Sequence, residues 1–465
     1  MHSTTVKEII MANSRTKDMT TGNIMRLLIE FSIPLIIGNL FQMMYNTVDS
    51  LVVGNFVGKE ALAAVGSTTM IINMVVFFFN GFSVGAGVVI SRFYGAKDND
   101  GLHRAIETTM YVTFLFGIVS TIVGILLVKP MLLLMSTPDD VMESASIYLR
   151  IYFAGMMGLM VYNMGSGILR AVGDTKRPLY YLIFTSVINI ILDLLFVIVF
   201  HMGIAGVAIA TIIAQFISAI LVMRLLLRTD DIYYFTWKDL KCDLKLVKSI
   251  FVVGLPTGIQ SVITAFSNVF VQSYVNFFGS ACMAGWSCYN KLDTFIMLPM
   301  QSMASAATTF VSQNIGAKKY DRVNKGTVQA LALILCITSV ICTLLYIFAE
   351  PASALFIDDR EVIEFSALFL HTNVFFLLLN CVNHTLAGAL RGRGDSTGPM
   401  VVMISCYVGV RQLYLYLITH FVANTAKLVG FSYPVGWTAC FFVELTYFYL
   451  RWVRKKDAVE KAANV

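Results

Sequence analysis

The sequence predicts an all-α polytopic membrane protein with twelve transmembrane helices, arranged as two parallel repeats of six. Three observations support this prediction. The 465 residues are 57% hydrophobic and 13% charged, with a mean hydropathy of +0.74, whereas soluble proteins average about 25% charged residues. Long apolar segments recur along the chain, and loop sequences are repeated at a constant spacing.

Each of twelve apolar segments is long enough to cross a bilayer as a helix, which takes about 20 residues. Several are longer, which predicts tilted or kinked helices. The first six segments form a predicted amino-terminal lobe (27–224), and the last six form a carboxy-terminal lobe (249–452). A linker at 225–248 joins the lobes, and polar segments lie at 1–26 and 453–465. The segments are 27–53, 61–90, 106–128, 141–168, 178–200, 203–224, 249–277, 281–312, 327–349, 361–390, 398–421 and 432–452.

The loop after the fourth segment of each lobe has the same sequence pattern. GILRAVGDTKRP begins at Gly167 and GALRGRGDSTGP at Gly388, which is 221 residues later (388 − 167). The tripeptide GAK at 95–97 returns at 316–318 with the same spacing. Six helices per lobe is an even number, so both lobes enter the membrane from the same side and the repeats are parallel. Such duplication is typical of secondary transporters.

Positive charge is distributed unevenly along the chain. Most of the 34 Lys and Arg residues lie in loops that are cytoplasmic if the amino terminus is inside. The positive-inside rule therefore predicts a multi-pass protein of the plasma membrane with both termini in the cytoplasm. The net charge of +6 follows from this asymmetry. No basic cluster has interleaved aromatic residues, so we expect no nucleic-acid partner. The polar first 23 residues predict no cleaved signal peptide.

Two sequence features could suggest other kinds of site. All eight cysteines lie between Cys242 and Cys440 without paired or metal-type spacing, so we expect neither disulfides nor a zinc site. The GxGD string at 392–395 matches a short motif of intramembrane aspartyl proteases. Its counterpart at 171–174 explains it as a loop of the repeat, and short motifs match freely. We therefore expect that the protein is not an enzyme.

Prolines lie at equivalent places in the two lobes. Pro34 is near the start of the first segment, and Pro256 is at the corresponding place in the seventh. A proline inside a helix removes one backbone hydrogen bond and bends the helix. We interpret Pro34 as a gating position. A static kink of the kind that membrane helices tolerate is the alternative.

Carboxylates inside a hydrocarbon core are costly, and by default they indicate an ion or substrate site. Asp49 of the first segment and Asp193 of the fifth lie roughly 8–10 Å below the predicted outer boundary, at about 1.5 Å per residue. Asn189 precedes Asp193 by one helical turn and shares its face, and Thr211 of the sixth segment lies at a similar depth. Oxygen ligands suit a hard cation such as Na⁺; alternatively, neighbouring carboxyl groups can share a proton. We predict that these four residues bind a coupling cation, H⁺ or Na⁺, with no other cofactor or metal.

The second lobe contains a different set of charges. Lys291 and Asp293 of the eighth segment, Arg411 of the eleventh and Glu444 of the twelfth are predicted near mid-membrane. Two positive and two negative charges can neutralise one another as buried pairs, and substrate recognition is the alternative. The 24 Met and 34 Phe residues can line a pocket for amphipathic cations, although helix packing explains most of them.

In these segments the sequence resembles the multidrug and toxic compound extrusion (MATE) transporters of the multidrug, oligosaccharidyl-lipid and polysaccharide exporter superfamily. The resemblance covers nearly the whole chain. The NIILDLLF pattern at 189–196 is most similar to the prokaryotic DinF-like branch. The other matching pieces are Ile33-Pro34, YNTVD at 45–49, YGAK at 94–97, and Leu169-Arg170 with Gly173-Asp174.

The resemblance implies the MATE fold and a cation-coupled antiporter that exports amphipathic, mainly cationic organic compounds by alternating access, acting as a monomer in the bilayer. It also implies that Asp49, Asn189, Asp193 and Thr211 form the cation site, and that helix bending involves the proline of the first segment. Many members have proline after the second aspartate, where this chain has Leu194. A flippase for lipid-linked oligosaccharides, from the same superfamily, is the alternative.

Overall fold

Helices account for nearly all of the chain in a computed structural model that describes residues 16–135, 137–237 and 240–453. Within these ranges every predicted apolar segment coincides with a helical span. The spans are α1 (Ile24–Val57), α2 (Lys59–Ala96), α3 (Asn99–Leu134), α4 (Asp139–Ala154 and Met156–Ala171), α5 (Lys176–Val199), α6 (Gly203–Arg228), α7 (Leu244–Asn276), α8 (Ser280–Gly316), α9 (Tyr320–Ile347), α10 (Arg360–Gly392), α11 (Thr397–Phe421) and α12 (Ala426–Trp452).

Most of these spans are apolar enough to cross a membrane. Ten described helices pass by length and composition, and α4, whose two segments meet at a 49° bend, makes eleven. α8 is 37 residues long but contains Lys291, Asp293 and several small polar residues, which lower its hydropathy. The all-α, polytopic fold class predicted from the sequence is confirmed, whereas the predicted ends at 1–15 and 454–465 lie outside the described residues.

The duplication visible in the loops extends to helix packing. In the first repeat, the Ser91 hydroxyl of α2 donates a 3.0 Å hydrogen bond to the Ala171 carbonyl of α4, 80 residues later. In the second, the Thr308 hydroxyl of α8 donates a 2.9 Å bond to the Gly388 carbonyl of α10, also 80 residues later. The same pair of helices is therefore joined by a small hydroxyl residue in both repeats.

The repeated loop sequence forms the same turn twice. Gly173 and Gly394 have φ of +87° and +84°, a region in which a side chain would strain the backbone. The aspartate that follows each glycine accepts backbone N–H groups: Asp174 from Arg177 at 3.1 Å, and Asp395 from Gly398 at 3.1 Å. Each aspartate therefore caps the next helix, which gives the GxGD string a structural role.

The chain forms two compact units. The first unit comprises Met1–Gly22, Ile33–Leu255 and Gly316–Lys318; the second comprises Asn23–Ser32, Pro256–Ile315 and Lys319–Val465. Two helices therefore change unit within their length: α1 two residues before Pro34, and α7 at Pro256. A third helix, α8, changes unit only at its last residue, Gly316. The lobes predicted at 27–224 and 249–452 are a division by sequence and stay a prediction.

The linker after α6 packs into the first unit. Tyr233 and Phe235 are fully buried, and the Phe235 amide donates to the Leu226 carbonyl at 2.8 Å. The Arg177 guanidinium donates to the Tyr233 hydroxyl at 2.6 Å, which in turn donates to the Asp231 carboxylate at 3.0 Å. Burial raises the pKa of Tyr233 to about 12, so its hydroxyl keeps its proton at neutral pH. The linker is thus part of the first core.

Candidate functional site

Asp193 and Asn189 lie on the buried face of α5. Their exposed fractions are 0% and 2%, and their spacing of one helical turn places them on the same face. The α-helical part of α5 ends at Leu194, and a π-helical turn, Leu195–Val199, follows. Such turns occur often at functional sites. Here the π-turn begins two residues after Asp193.

Asp49 of α1 meets Asp193 in the first unit. Their carboxyl groups lie within hydrogen-bonding reach of one another, and their role as a cation site stays a prediction. α1 also turns π-helical after its aspartate, at Val53–Val57. Asp49 and Asp193 therefore each lie shortly before a π-turn, on two different helices.

The polar atoms around this carboxyl pair lack partners. Both oxygens of Asp193, Oδ1 of Asp49, and both the amide nitrogen and oxygen of Asn189 are buried without a hydrogen bond. No Lys, Arg or His forms an ion pair with either carboxylate among the described residues. Buried polar groups are nearly always hydrogen bonded, so four oxygens and one amide nitrogen without a protein partner make this an unusual concentration of unsatisfied polar atoms.

Thr211 is buried on α6, the helix that packs along α5. Its hydroxyl proton is used within its own helix, because Oγ1 donates to the Val207 carbonyl at 3.0 Å. A hydroxyl oxygen keeps lone pairs after donating. Thr211 can therefore still act as an oxygen ligand but not as a free donor.

Sequence reasoning missed a group of tyrosines beside the carboxylates. Tyr148 and Tyr152 of α4 are each 7% exposed, and their rings stack with centroids 6.5 Å apart. The Tyr148 hydroxyl lies close enough to interact electrostatically with both carboxylates, and Tyr45 of α1 lies near Asp49. The only sequence signal was the spacing of two tyrosines by one helical turn, at a depth similar to that of the acids.

Pro34 is buried inside α1, which continues as an α-helix from Ile24 to Val52 without a break. The proline lies two residues beyond Ser32, where the helix passes between the units. Its position fits a hinge, and its gating role stays a prediction.

The four charges predicted to pair in the second lobe do not pair with one another. No ion pair joins any two of Lys291, Asp293, Arg411 and Glu444. Lys291 is exposed, with Nζ 5.6 Å from the Phe356 ring centroid, and Asp293 is half-buried with Oδ1 unpaired. Mutual pairing, one of the two interpretations left open above, is therefore not formed, because similar depth along a helix does not place side chains on facing sides. Substrate recognition, the other interpretation, stays a prediction.

Arg411 instead interacts with neutral neighbours, whereas Glu444 contacts a thiol and interacts electrostatically with Arg391 of α10. The buried Arg411 donates to the Ser267 hydroxyl at 2.6 Å, and its guanidinium lies 4.6 Å from the Tyr433 ring centroid. The fully buried Glu444 accepts a contact from the Cys440 thiol at 3.6 Å. These contacts give Arg411 a structural role and leave one Glu444 oxygen unpaired.

A second polar cluster lies in the second unit, and of its residues the sequence singled out only Asn383, as a polar group in an apolar helix. The Tyr407 hydroxyl of α11 donates to Asn380 Oδ1 at 2.6 Å. The Asn383 amide donates to that hydroxyl at 3.1 Å and to the Trp437 carbonyl of α12 at 3.0 Å. All four residues are buried, so the network joins α10, α11 and α12. The two asparagines, Asn380 and Asn383, lie in the mostly apolar helix α10, and amide groups in such a helix are the sequence signal for a buried polar network.

Comparison with known families gives a match over most of the chain. The MatE family model matches twice, at residues 34–195 and 256–417, and each matched range begins at one of the two equivalent prolines. This double match is independent support for the duplication.

Curated relatives align with almost the full length of the chain. The probable multidrug resistance protein YoeA of Bacillus subtilis is 29% identical over 455 residues, covering 96% of this chain and 97% of its own. The multidrug export protein MepA of Staphylococcus haemolyticus is 22% identical over 448 residues, covering 96% and 97%.

Solved structures share the fold. A MATE protein in the bent conformation superposes with a TM-score of 0.89 at 22% identity, covering 96% of this chain and 98% of its own. A MOP superfamily transporter from Pyrococcus furiosus gives a TM-score of 0.87 at 22% identity, covering 93% and 97%. At this level of identity the similarity shows the fold alone.

Proposed function

The chain belongs to the MatE family of transporters, and on that premise we propose that it is a cation-coupled antiporter that exports amphipathic, mainly cationic organic compounds. It is a multi-pass integral membrane protein and a transporter rather than an enzyme. Its similarity to proteins named for multidrug resistance and multidrug export supports the drug-like substrate class. The proposal places it in the plasma membrane as a functional monomer, with both termini in the cytoplasm.

The contact between Asp49 and Asp193 is the observation that carries the coupling proposal. Two carboxylates in a buried pocket repel one another, and each loses the solvation that water would give it. The desolvation penalty amounts to several kcal/mol per buried ion. Without a basic partner, at least one positive ion must compensate them. A proton on one carboxyl group, or Na⁺ between the two, satisfies this requirement.

The surrounding side chains are compatible with either ion. Asn189 offers an amide oxygen to a metal cation and amide hydrogens to a carboxylate, and Thr211 offers a hydroxyl oxygen. Oxygen donors of this kind are the preferred ligands of hard cations. We propose that H⁺, Na⁺ or both occupy this site, with Asp49, Asn189, Asp193 and Thr211 as its residues.

Coupling requires the cation to bind one conformation more tightly than another. Asp49 lies on α1, the helix that contains Pro34 and passes between the two units. Drawing Asp49 toward Asp193 through a shared cation therefore stabilises one arrangement of α1. Loss of the cation restores repulsion between the carboxylates and favours another arrangement. Substrate binds from the cytoplasm, and an external cation entering this site drives release and reset.

The test is transport of a fluorescent organic cation by the purified protein in proteoliposomes, under separate proton and sodium gradients. We expect counter-transport under at least one gradient and none when both gradients are collapsed. Equal transport with and without gradients would contradict coupling, and absence of transport under every gradient would contradict the substrate class.

A further inference from the structure

A groove with a volume of about 450 Å³ lies on the surface of the first unit between α3, α4 and α6. Its walls are apolar: Phe114 comes from α3, Met157 from α4, and Phe216 and Met223 from α6. The volume falls within the range of about 300–1,000 Å³ that is typical of small-molecule sites. The groove contains none of the residues of the proposed cation site.

One end of the groove is strongly basic. Arg224 and Arg228 line it from the last two turns of α6, and their spacing of one turn places both on one face of the helix. Both are exposed, and no described carboxylate forms an ion pair with either. The acidic residues next along the chain, Asp230 and Asp231, do not line the groove.

A tryptophan of the linker stacks on one wall of the groove. Trp237 of the linker is 55% exposed, and it stacks on the groove wall at Phe114 with ring centroids 5.3 Å apart. Exposed tryptophans concentrate at the boundary between hydrocarbon and headgroups. Arg224 and Arg228 belong to the last two turns of the membrane-spanning α6, and arginines near helix ends reach the interface. The basic end of the groove therefore lies near the lipid headgroups, and the apolar walls extend into the hydrocarbon.

The length of the groove matches one membrane leaflet. Along α6, Phe216 and Arg228 are twelve residues apart (228 − 216), which corresponds to about 18 Å at 1.5 Å per residue. Half of a hydrocarbon core of about 30 Å is about 15 Å. The distance from the arginines to the far wall is thus that of one extended acyl chain.

We propose that this groove is a binding site for one anionic phospholipid, whose acyl chain lies between Phe114, Met157 and Phe216 and whose phosphate contacts Arg224 and Arg228. The apolar walls would accept the chain of any lipid, but the two arginines select for negative charge. Guanidinium groups bind phosphate oxygens through paired hydrogen bonds. Each basic residue near a membrane surface strengthens attraction to anionic lipid by about fivefold.

The experiment uses the full-length protein in a zwitterionic detergent, titrated with brominated dioleoylphosphatidylglycerol or brominated dioleoylphosphatidylcholine. Bromine on the chain quenches nearby tryptophan, and Trp237 on the groove wall is the reporter. Comparison with Trp237→Phe assigns the quenching to that residue. We expect half-maximal quenching at a concentration of phosphatidylglycerol at least tenfold lower than of phosphatidylcholine.

Variants separate this site from general lipid contact. Arg224→Gln and Arg228→Gln should each weaken binding of phosphatidylglycerol about fivefold, and the double variant should remove the preference. The matched control is the double variant Lys245→Gln with Lys248→Gln, which removes two exposed charges from the start of α7. This control should keep the preference for phosphatidylglycerol. Inorganic phosphate should not displace the lipid, because it cannot fill the apolar walls.

Three results would overturn the proposal. One is equal quenching of the wild-type protein by the two lipids, which would indicate ordinary lipid contact. Another is an equal loss of preference in the lysine control, which would indicate attraction to overall charge. The third is displacement by inorganic phosphate, which would indicate an anion site without a lipid.

Discussion

The carboxyl group of Asp193 on α5 lies within hydrogen-bonding reach of that of Asp49 on α1, and neither is paired with a basic side chain. Asp193 is fully buried and both of its oxygens lack hydrogen bonds. Most buried carboxylates in proteins are compensated by an arginine, a lysine or backbone donors. Neither source is present for this pair among the described residues, and the proposed coupling cation would supply the compensation.

Neutralising either member of the pair should abolish coupled transport. Asp49→Asn or Asp193→Asn removes the charge while keeping the shape, so the protein should be produced at normal levels but transport no substrate under a cation gradient. Proteoliposome counter-transport measures this. Asp140→Asn, which changes an exposed aspartate in the first turn of α4, is the control and should transport normally. Normal gradient-driven export by either site variant would show that the pair is not the coupling site.

A cation that binds this site should also stabilise the folded protein. A ligand present at 100 times its dissociation constant adds about 2.7 kcal/mol to the free energy of unfolding. We expect the unfolding temperature in detergent to rise with Na⁺ at constant ionic strength and pH if Na⁺ is the coupling ion, and Asp193→Asn should not show this rise. K⁺ at the same concentration serves as the ionic-strength control. If the wild-type protein and Asp193→Asn respond equally to Na⁺, that ion does not bind here.

Replacing the proline at the unit crossing should slow transport without unfolding the protein. Pro34→Ala allows the missing backbone hydrogen bond of α1 to form, which stiffens the helix. Initial transport rates should fall severalfold, while the unfolding temperature stays the same or rises. Pro299→Ala in α8 is the matched control, because that proline also lies inside a helix but away from either crossing. A full rate in Pro34→Ala, or an equal loss in the control, would contradict a hinge at this position.

The two repeated aspartates should contribute to stability rather than to chemistry. Asp174→Ala removes the cap of α5 and the 3.4 Å ion pair with Arg177. Asp395→Ala removes the 2.6 Å hydrogen bond from the Tyr447 hydroxyl. Each should lower the free energy of unfolding by about 1–2 kcal/mol, measured as a lower unfolding temperature. Asp230→Ala, at an exposed linker position, should change the unfolding temperature little. If this control lowered the unfolding temperature as much, the repeated aspartates would have no special contribution to stability.

Arg411 should be irreplaceable by lysine for structural reasons. Lysine lacks the planar fork that lets one side chain donate to Ser267 and stack on Tyr433. Because hydrogen bonds to charged groups contribute about 1.5–3 kcal/mol, we expect Arg411→Lys to destabilise the protein by about 2 kcal/mol in thermal unfolding. Lys291→Gln should change stability by no more than about 0.5 kcal/mol, since Lys291 is exposed. If both variants lowered the free energy of unfolding by similar amounts, Arg411 and Lys291 would contribute equally to stability, which would contradict the distinct structural role of Arg411.

The architecture was readable from the sequence because its signals are strong and local. Apolar length predicts a spanning helix, and a duplicated loop with glycine before aspartate predicts the same turn twice. Helix ends were less predictable. α2, for example, continues to Ala96, whereas the predicted segment ends at residue 90. Helices continue beyond the apolar stretch because polar residues are equally able to form backbone hydrogen bonds.

Part of the candidate site was predictable for a different reason. Asp49, Asn189 and Asp193 were visible because charged and amide groups are rare in apolar segments, so position alone singles them out. Tyr148 was not, since tyrosine is common in membrane helices and only tertiary packing brings this side chain, with Tyr152 stacked on it, beside the acids. The sequence could not show whether Lys291 pairs with another charge, because a sequence gives depth along a helix but not the direction in which a side chain leaves it.

The burial of Tyr233 and Phe235 determines where the chain can be cut into two fragments for separate expression. A fragment that ended at Arg228 would lack two aromatic side chains that complete the hydrophobic interior of the first half, and the uncovered surface would promote aggregation. A break placed after Asp243 keeps them. Two separately expressed fragments should therefore assemble into the protein only when the linker is part of the amino-terminal fragment.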